Sequence, residues 1–193
     1  MSERAPSNEV IDAQDKRAAP APRPTAAFLL AHPAHMIALG FGAGLSPIAP
    51  GTAGTLWAWL VWWALSLTLP AAALGWLLLA ALPVGWWASR VTARALNTDD
   101  PSCVVIDEIV AFWLVLWLLL PASGWLQLAA FALFRLLDAL KPGPVRWADQ
   151  ALHGSGWRGA LGIMLDDLVA AALTLLVLAL ALWLSAQSVL LYQ

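Results

Sequence analysis

The chain has 193 residues, 61% of them hydrophobic and 11% charged, with a formal net charge of -2. Soluble domains carry roughly 45–50% apolar and about 25% charged residues, so this composition selects a membrane protein over a soluble globular one. The small, dispersed charge excludes a nucleic-acid partner, and a single cysteine, Cys103, excludes an internal disulfide framework.

Residues 1–25 mix Pro, Ala, Ser and both signs of charge, which is the composition of a disordered tail. They lack the apolar middle and small-residue cleavage site of a secretory signal. Residues 26–193 read as a single membrane-embedded domain. Residues 26–39 are apolar but contain His32, Pro33 and His35 and are short for a crossing, so an interfacial or re-entrant helix is expected. Residues 40–54, "GFGAGLSPIAPGTAG", carry Gly and Pro too often for a regular helix and predict a shaped loop. Five principal helices follow, over residues 55–69, 71–91, 104–120, 125–140 and 161–186, with a kink expected at Pro83. The class is therefore all-α, a polytopic bundle whose longest polar connection runs over residues 141–159.

Counting crossings places the Gly/Pro loop, "NTDDPSCVVIDE" and the 141–159 segment on one face. The opposite face has only the turns at Pro70 and at "PASG". Every basic residue beyond the tail, from Arg90 and Arg94 through Arg135, Lys141, Arg146 and Arg158, belongs to the first face. Short loops rich in Lys and Arg stay in the cytoplasm, so the polar face is expected there and the C-terminus outside.

Two acidic pairs lie on that face, Asp107 with Glu108 in "VVIDEIVAF" and Asp166 with Asp167 in "MLDDLVA". Each pair is predicted near a helix start, where the dipole favours negative charge by about 0.3–1 kcal/mol, so plain capping is the bland reading. Apolar neighbours on both sides argue against it. A carboxylate at membrane depth costs about 2.5–3.5 kcal/mol on insertion scales, and such residues line cavities or pathways. Four converging carboxylates repel unless a cation sits between them, and hard oxygen ligands without a Cys or His cluster favour magnesium. Asp107, Glu108, Asp166 and Asp167 are thus the candidate metal ligands.

"FRLLDALKPGPVRW" places Arg135, Asp138 and Lys141 at i, i+3 and i+6 on one helical stripe. They form either a salt-bridged ladder or a phosphate grip, in which Asp138 orients the two cations or joins the metal shell. In "GLSPIAPGTAGT", Thr52 or Thr55 is expected to cap the next helix and aim its free amides at an anion. Ser46, Pro50, Gly51 and Thr52 are the candidate substrate contacts there, and a bare helix-entry turn is the alternative. The loop has neither the G-x-G-x-x-G spacing of a dinucleotide site nor the lysine of a P-loop. His153 is either a proton donor or incidental, Asp99 and Asp100 are expected to shape a turn, and the Trp residues suit packing and interfacial belts.

"GFGAGLSPIAPGTAGT", "IDEIVAF", "FRLLDALKPGPVRW" and "GIMLDDLVAA", in this order and over residues 35–172, closely resemble the phosphatidylglycerophosphatase A family of bacterial membranes. The resemblance implies a magnesium-dependent lipid phosphatase of the bacterial inner membrane, converting phosphatidylglycerophosphate to phosphatidylglycerol and inorganic phosphate. It maps the family's acidic motifs to Asp107, Glu108, Asp166 and Asp167, its Arg, Asp and Lys to Arg135, Asp138 and Lys141, and its Pro-Gly-Thr to Pro50, Gly51 and Thr52. Ala111 and Ala171 stand where the family pattern has glycine, and "GSGWRGALGIM" is longer than its counterpart.

The combined expectation is that the acidic pairs hold Mg2+, Arg135 and Lys141 neutralise the phosphate, and Asp167 acts as general base toward water. The membrane phospholipid and the bilayer are the implied partners, with oligomeric state left open. Two other readings remain: a phosphatase for another lipid phosphate, and a small ion-coupled transporter, which would place polar residues at mid-span.

Overall fold

The computed structural model describes residues 24–152 and 156–191. The expected tail up to residue 23, and His153, lie outside the described residues. Among the described residues there is no strand. The helices are α1 (Ala26–Ala31), α2 (Pro33–Ala38), a 3-10 segment (Gly40–Leu45), α3 (Pro50–Ser66), α4 (Ala71–Leu96), α5 (Ile106–Leu118), α6 (Gly124–Leu140), α7 (Gly143–Ala151) and α8 (Gly156–Leu191).

The interfacial helix expected over 26–39 is two short helices, because Pro33 forces the residue before it out of the helical region. His32 is extended (φ -155°, ψ 139°), and its Nδ1 accepts the Ala34 N–H at 3.0 Å, capping α2. The shaped loop is also shorter than expected. Pro50 sits at the first helical position, where its missing N–H costs nothing, so α3 begins five residues before the predicted start. Thr52 and Thr55 consequently do not cap it: Ala49 is the cap residue, and Thr55 is inside the helix donating its hydroxyl to Gly51 O at 2.8 Å.

Helix α4 runs through Pro83 and ends at Asn97, whose left-handed backbone (φ 51°) returns its N–H to Ala93 O and Arg94 O. The segment predicted as one polar loop, 141–159, contains α7. Its Val145 and Ala148 are buried, and it packs against α8. Helix α8 likewise begins earlier than predicted.

The centre of the bundle is α5. It is only 13 residues long, about 20 Å at 1.5 Å per residue, yet it touches α3, α4, α6 and α8. Phe112, Val110, Ala111 and Val115 are fully buried along it. The surrounding helices are tied to it by indole hydrogen bonds. Trp113 donates to Ala58 O and Trp117 to Ala71 O, each at 2.9 Å, while Trp59 links α3 to Gln127 of α6 at 2.7 Å. In apolar surroundings an unpaired indole N–H is costly, so these donors fix helix register as well as filling volume. Ala111 and Ala171 are both fully buried, consistent with close helix packing at positions where the family pattern has glycine.

Helices α4 and α8 are each long and apolar enough to cross a membrane. Their outer faces carry large apolar side chains such as Trp76 (72% exposed) and Leu176 (63%), a distribution suited to lipid rather than water.

Candidate active site

The N-terminal ends of α3 and α5, the C-terminal end of α6, the first turns of α8 and the 97–105 connection meet around one cavity of about 310 Å³. The connection is anchored where the Val105 N–H donates to Ala38 O at 2.8 Å. That bond sets the start of α5 and brings Asp107 and Glu108, two and three residues on, to the cavity wall. Both lie in the first turn of α5, as expected, where the dipole favours their charge. Asp107 Oδ1 accepts the Glu108 N–H at 3.0 Å.

Asp166 and Asp167 are different. They lie about three turns, or roughly 15 Å, inside α8, so the helix-start explanation does not reach them. Their carboxylates also diverge. Asp167 joins Asp107 and Glu108: each offers an oxygen, and the three oxygens lie within 4.8 Å of one another. Asp166 turns instead to Lys141, with Oδ2 at 2.7 Å from Nζ, while its Oδ1 accepts the Asp167 N–H at 3.1 Å. Asp138 stands within hydrogen-bonding reach of Asp167.

Two oxygens of the cluster, Glu108 Oε2 and Asp167 Oδ1, are buried with no hydrogen-bond partner. Buried charged oxygens without partners are strongly disfavoured, and like charges this close need a proton or a cation between them. An all-carboxylate donor set with no Cys or His fits a hard divalent cation such as Mg2+.

Arg135 is gripped from three sides. Its Nη1 lies 2.8 Å from Asp138 Oδ2 and 3.7 Å from Glu108 Oε1, and it donates to Thr55 Oγ1 at 3.4 Å. Lys141 does not continue the Arg135–Asp138 stripe as the spacing predicted. It lies just past the end of α6 in a left-handed conformation (φ 44°), which redirects its side chain to Asp149 of α7 at 2.5 Å and to Asp166. Partial burial of Lys141 lowers its ammonium pKa, but the hydrogen bonds and charges of Asp149 and Asp166 outweigh that and raise it above the usual range. It is therefore a fixed cation.

Gly51 explains why the α3 entry needs glycine. A Cβ there would collide with Glu108 Oε1 and lie 3.0 Å from Arg135 Nη2. Pro50 and Gly51 line the cavity, and their expected companions Ser46 and Thr52 are not among its lining residues. Ser46 closes its own turn by donating to Ile48 O at 2.8 Å. Ala49, beside them, is left-handed (φ 47°) although a proline follows, a strained conformation of the kind that concentrates at functional sites. Asp99 and Asp100, read as turn formers, also line the cavity, as does Asp149, which sequence reasoning missed. The signal for Asp149 was the Val145, Ala148 spacing of an amphipathic turn after "KPGP". Cys103 is buried, and that burial raises its thiol pKa, as suits an inert packing residue.

In all, eight lining residues are Asp or Glu and two are basic, an excess of acidic groups that disfavours an anion unless a proton or a cation offsets it.

The profile of Phosphatidylglycerophosphatase A matches residues 36–182. The Escherichia coli K12 protein named Phosphatidylglycerophosphatase A is 38% identical over 146 residues, 75% of this chain and 81% of that protein. Its Haemophilus influenzae namesake is 37% identical over 151 residues, 77% of this chain and 88% of that one. A Bacteroides thetaiotaomicron protein named "Putative phosphatidylinositol-3-phosphatase" is 40% identical over 154 residues, 77% of this chain and 92% of its own. No solved structure matches the chain significantly.

Proposed function

This chain belongs to the phosphatidylglycerophosphatase A family, a family of lipid phosphatases, and from that premise we propose how its cavity works. The cavity hydrolyses the terminal phosphomonoester of phosphatidylglycerophosphate, releasing phosphatidylglycerol and inorganic phosphate, with Mg2+ as cofactor. The observation that carries this reading is the Asp107–Glu108–Asp167 cluster with its two unpartnered oxygens. A bound Mg2+ would supply the positive charge that an acidic cavity needs to accept a phosphate, and would polarise the phosphoryl group.

The chain's own residues do the rest. Arg135 and Lys141, each fixed by carboxylates on more than one side, bind and orient the phosphoryl oxygens. The Gly51 amide, in the unpaired first turn of α3, completes the anion cradle with the positive end of the helix. Asp138 takes the proton from the attacking water. Asp167 was the expected base; in this reading it serves the cation-binding cluster, and Asp138, within hydrogen-bonding reach of it, takes its place. In this reading Asp166, expected as a fourth metal ligand, positions Lys141.

The membrane arrangement is part of the same proposal. One unit from residue 26 onward, with α3 to α6 and α8 as the five principal helices, sits in the bacterial inner membrane with its acidic cavity at the cytoplasmic surface. The run of basic residues on that side supports the orientation. Acyl chains then stay in the bilayer while the head group reaches the cavity. The name of the Bacteroides relative favours one second reading, a phosphoinositide as substrate, since that head group also carries a monoester beyond a phosphodiester.

Phosphate release by the purified protein from a panel of lipid phosphates in detergent micelles tests this. Preference for phosphatidylglycerophosphate is expected. A preference for the phosphoinositide would transfer the same chemistry to the second reading, and no release from any lipid would refute both.

A further inference from the structure

A second cavity, of about 360 Å³, lies beside the first and has the opposite charge character. It is formed by the last turns of α4 and the first turn of α8, and it is lined by Arg90, Arg94, Asn97, Thr98, Asp99 and Ala160, among others. Two arginines face one carboxylate there. Among the described residues, neither arginine makes an ion pair.

Arg90 is built into this cleft. Its guanidinium carbon lies 5.4 Å from the centroid of the Trp157 ring. Trp157 is itself fixed, packing edge-on to Trp86 with ring centroids 5.1 Å apart and accepting the Trp86 indole N–H on its carbonyl at 2.9 Å. The Arg90 Nε is buried with no hydrogen-bond partner. An arginine kept only to bias topology would extend its whole guanidinium to water. Stacking on an indole instead leaves the N–H edge of the guanidinium directed sideways, in the fork geometry that matches phosphate oxygens.

The cleft adjoins the acidic cavity. Asp99 lines both, and on α8 the cleft residues Gly156 and Ala160 are each one turn from the cavity residues Gly159 and Ile163. One turn is about 5 Å along the axis, comparable with the reach of a three-carbon spacer. Phosphatidylglycerophosphate has such a head group: a phosphodiester on the lipid side, a glycerol, then the monoester that is removed.

We propose that the Arg90–Arg94 cleft binds the phosphodiester of the lipid head group while the monoester occupies the acidic cavity. The inference rests on the phosphatase reading above. It makes the cleft a selectivity device, since a lipid without a phosphodiester one spacer away from its monoester would leave Arg90 unpaired. It also implies that the product, which keeps the phosphodiester, retains affinity for the enzyme.

The test uses the full-length protein in nonionic detergent micelles, comparing wild type with Arg90→Gln, Arg94→Gln and the double variant. For phosphatidylglycerophosphate, KM in the double variant should rise roughly tenfold while kcat stays within about twofold, the pattern of a lost ground-state and transition-state contact. Binding of short-chain phosphatidylglycerol, followed by calorimetry, should weaken by a similar factor, whereas inhibition by inorganic phosphate should not change. Arg94 is exposed, so its single variant guards against a folding defect. Equal weakening of phosphatidylglycerol and inorganic phosphate, or no change in either, would overturn the proposal. An effect seen only after phosphatidylserine is added to the micelles would overturn it too, by assigning the cleft to bulk anionic lipid. Arginine-dependent binding of phosphatidylglycerol by a protein that fails to hydrolyse phosphatidylglycerophosphate would uphold the cleft and defeat the catalytic reading instead.

Discussion

Replacing Gly51 by alanine separates site geometry from fold stability. Within a helix Gly→Ala ordinarily stabilises, by up to about 1 kcal/mol, because alanine loses less backbone entropy on folding. Here the added methyl would clash with Glu108 Oε1 and press on Arg135 Nη2 at 3.0 Å. To restore van der Waals contact, Glu108 must retreat on the order of 1 Å, and overpacking of this kind costs about 1–3 kcal/mol. The two effects partly cancel in stability, so the midpoint of thermal unfolding should shift by only a few degrees. They do not cancel in catalysis. Glu108 belongs to the three-oxygen cluster and contacts Arg135, and a displacement of about 1 Å at a reacting centre costs on the order of 100-fold in rate. Phosphate release from phosphatidylglycerophosphate in micelles, together with thermal unfolding of the same preparation, reads both quantities. Activity within about threefold of wild type would refute the close approach of α3 to Glu108, and with it the cradle assigned to this helix start.

The two neighbouring aspartates should behave differently: Asp167→Asn is expected to lower kcat by at least about 100-fold, while Asp166→Asn should resemble Lys141→Met with a smaller loss, and equal loss in both aspartate variants would contradict the division of roles. Thr55→Val removes the oxygen that accepts from Arg135 at 3.4 Å and should lower kcat roughly tenfold with about 1 kcal/mol of stability lost, and Thr55→Ser should restore both in the same assays. The Lys141 pKa is raised, so the stability its charge contributes is fully present below the unfolded value of about 10.4 and is lost only as pH rises through the folded one. Lys141→Arg should therefore leave the alkaline limb of the kcat/KM profile unmoved up to about pH 10, and a limb that moved would identify Lys141 as the titrating group.

Much of the site could be read from the sequence because its residues sit in uninterrupted local patterns. "VVIDE" already showed carboxylates against apolar neighbours at a helix start, and the structure keeps Asp107 and Glu108 in the first turn of α5. The Asp166–Asp167 pair was legible as costly but not as divided, because adjacent helical residues point about 100° apart and only the packing of α6 and α7 decides what each one meets. The direction of the Lys141 side chain was hidden for a related reason. A left-handed residue at a helix end breaks the i, i+3, i+6 stripe, and nothing in "DALKPG" except the following proline announces it. The extent of α3 was hidden by glycines that usually signal a loop. Here they serve close approach, to Val105 at Gly54 and to Glu108 at Gly51. Helix α7 was obscured by Pro142 before it, Pro144 in its first turn and its shortness, and Asp149 was missed with it.

The proposed function requires that Asp107, Glu108 and Asp167 hold a divalent cation on which phosphomonoester hydrolysis depends. Mn2+ binding to the chelator-stripped protein, followed by paramagnetic resonance in parallel with phosphate release from phosphatidylglycerophosphate, tests it most directly. Saturable binding that Mg2+ competes away is expected, with loss of binding and activity together in Asp107→Asn and Asp167→Asn and retained binding in Asp166→Asn. Full activity in excess EDTA, or unchanged Mn2+ binding in the Asp107→Asn and Asp167→Asn variants, would contradict it.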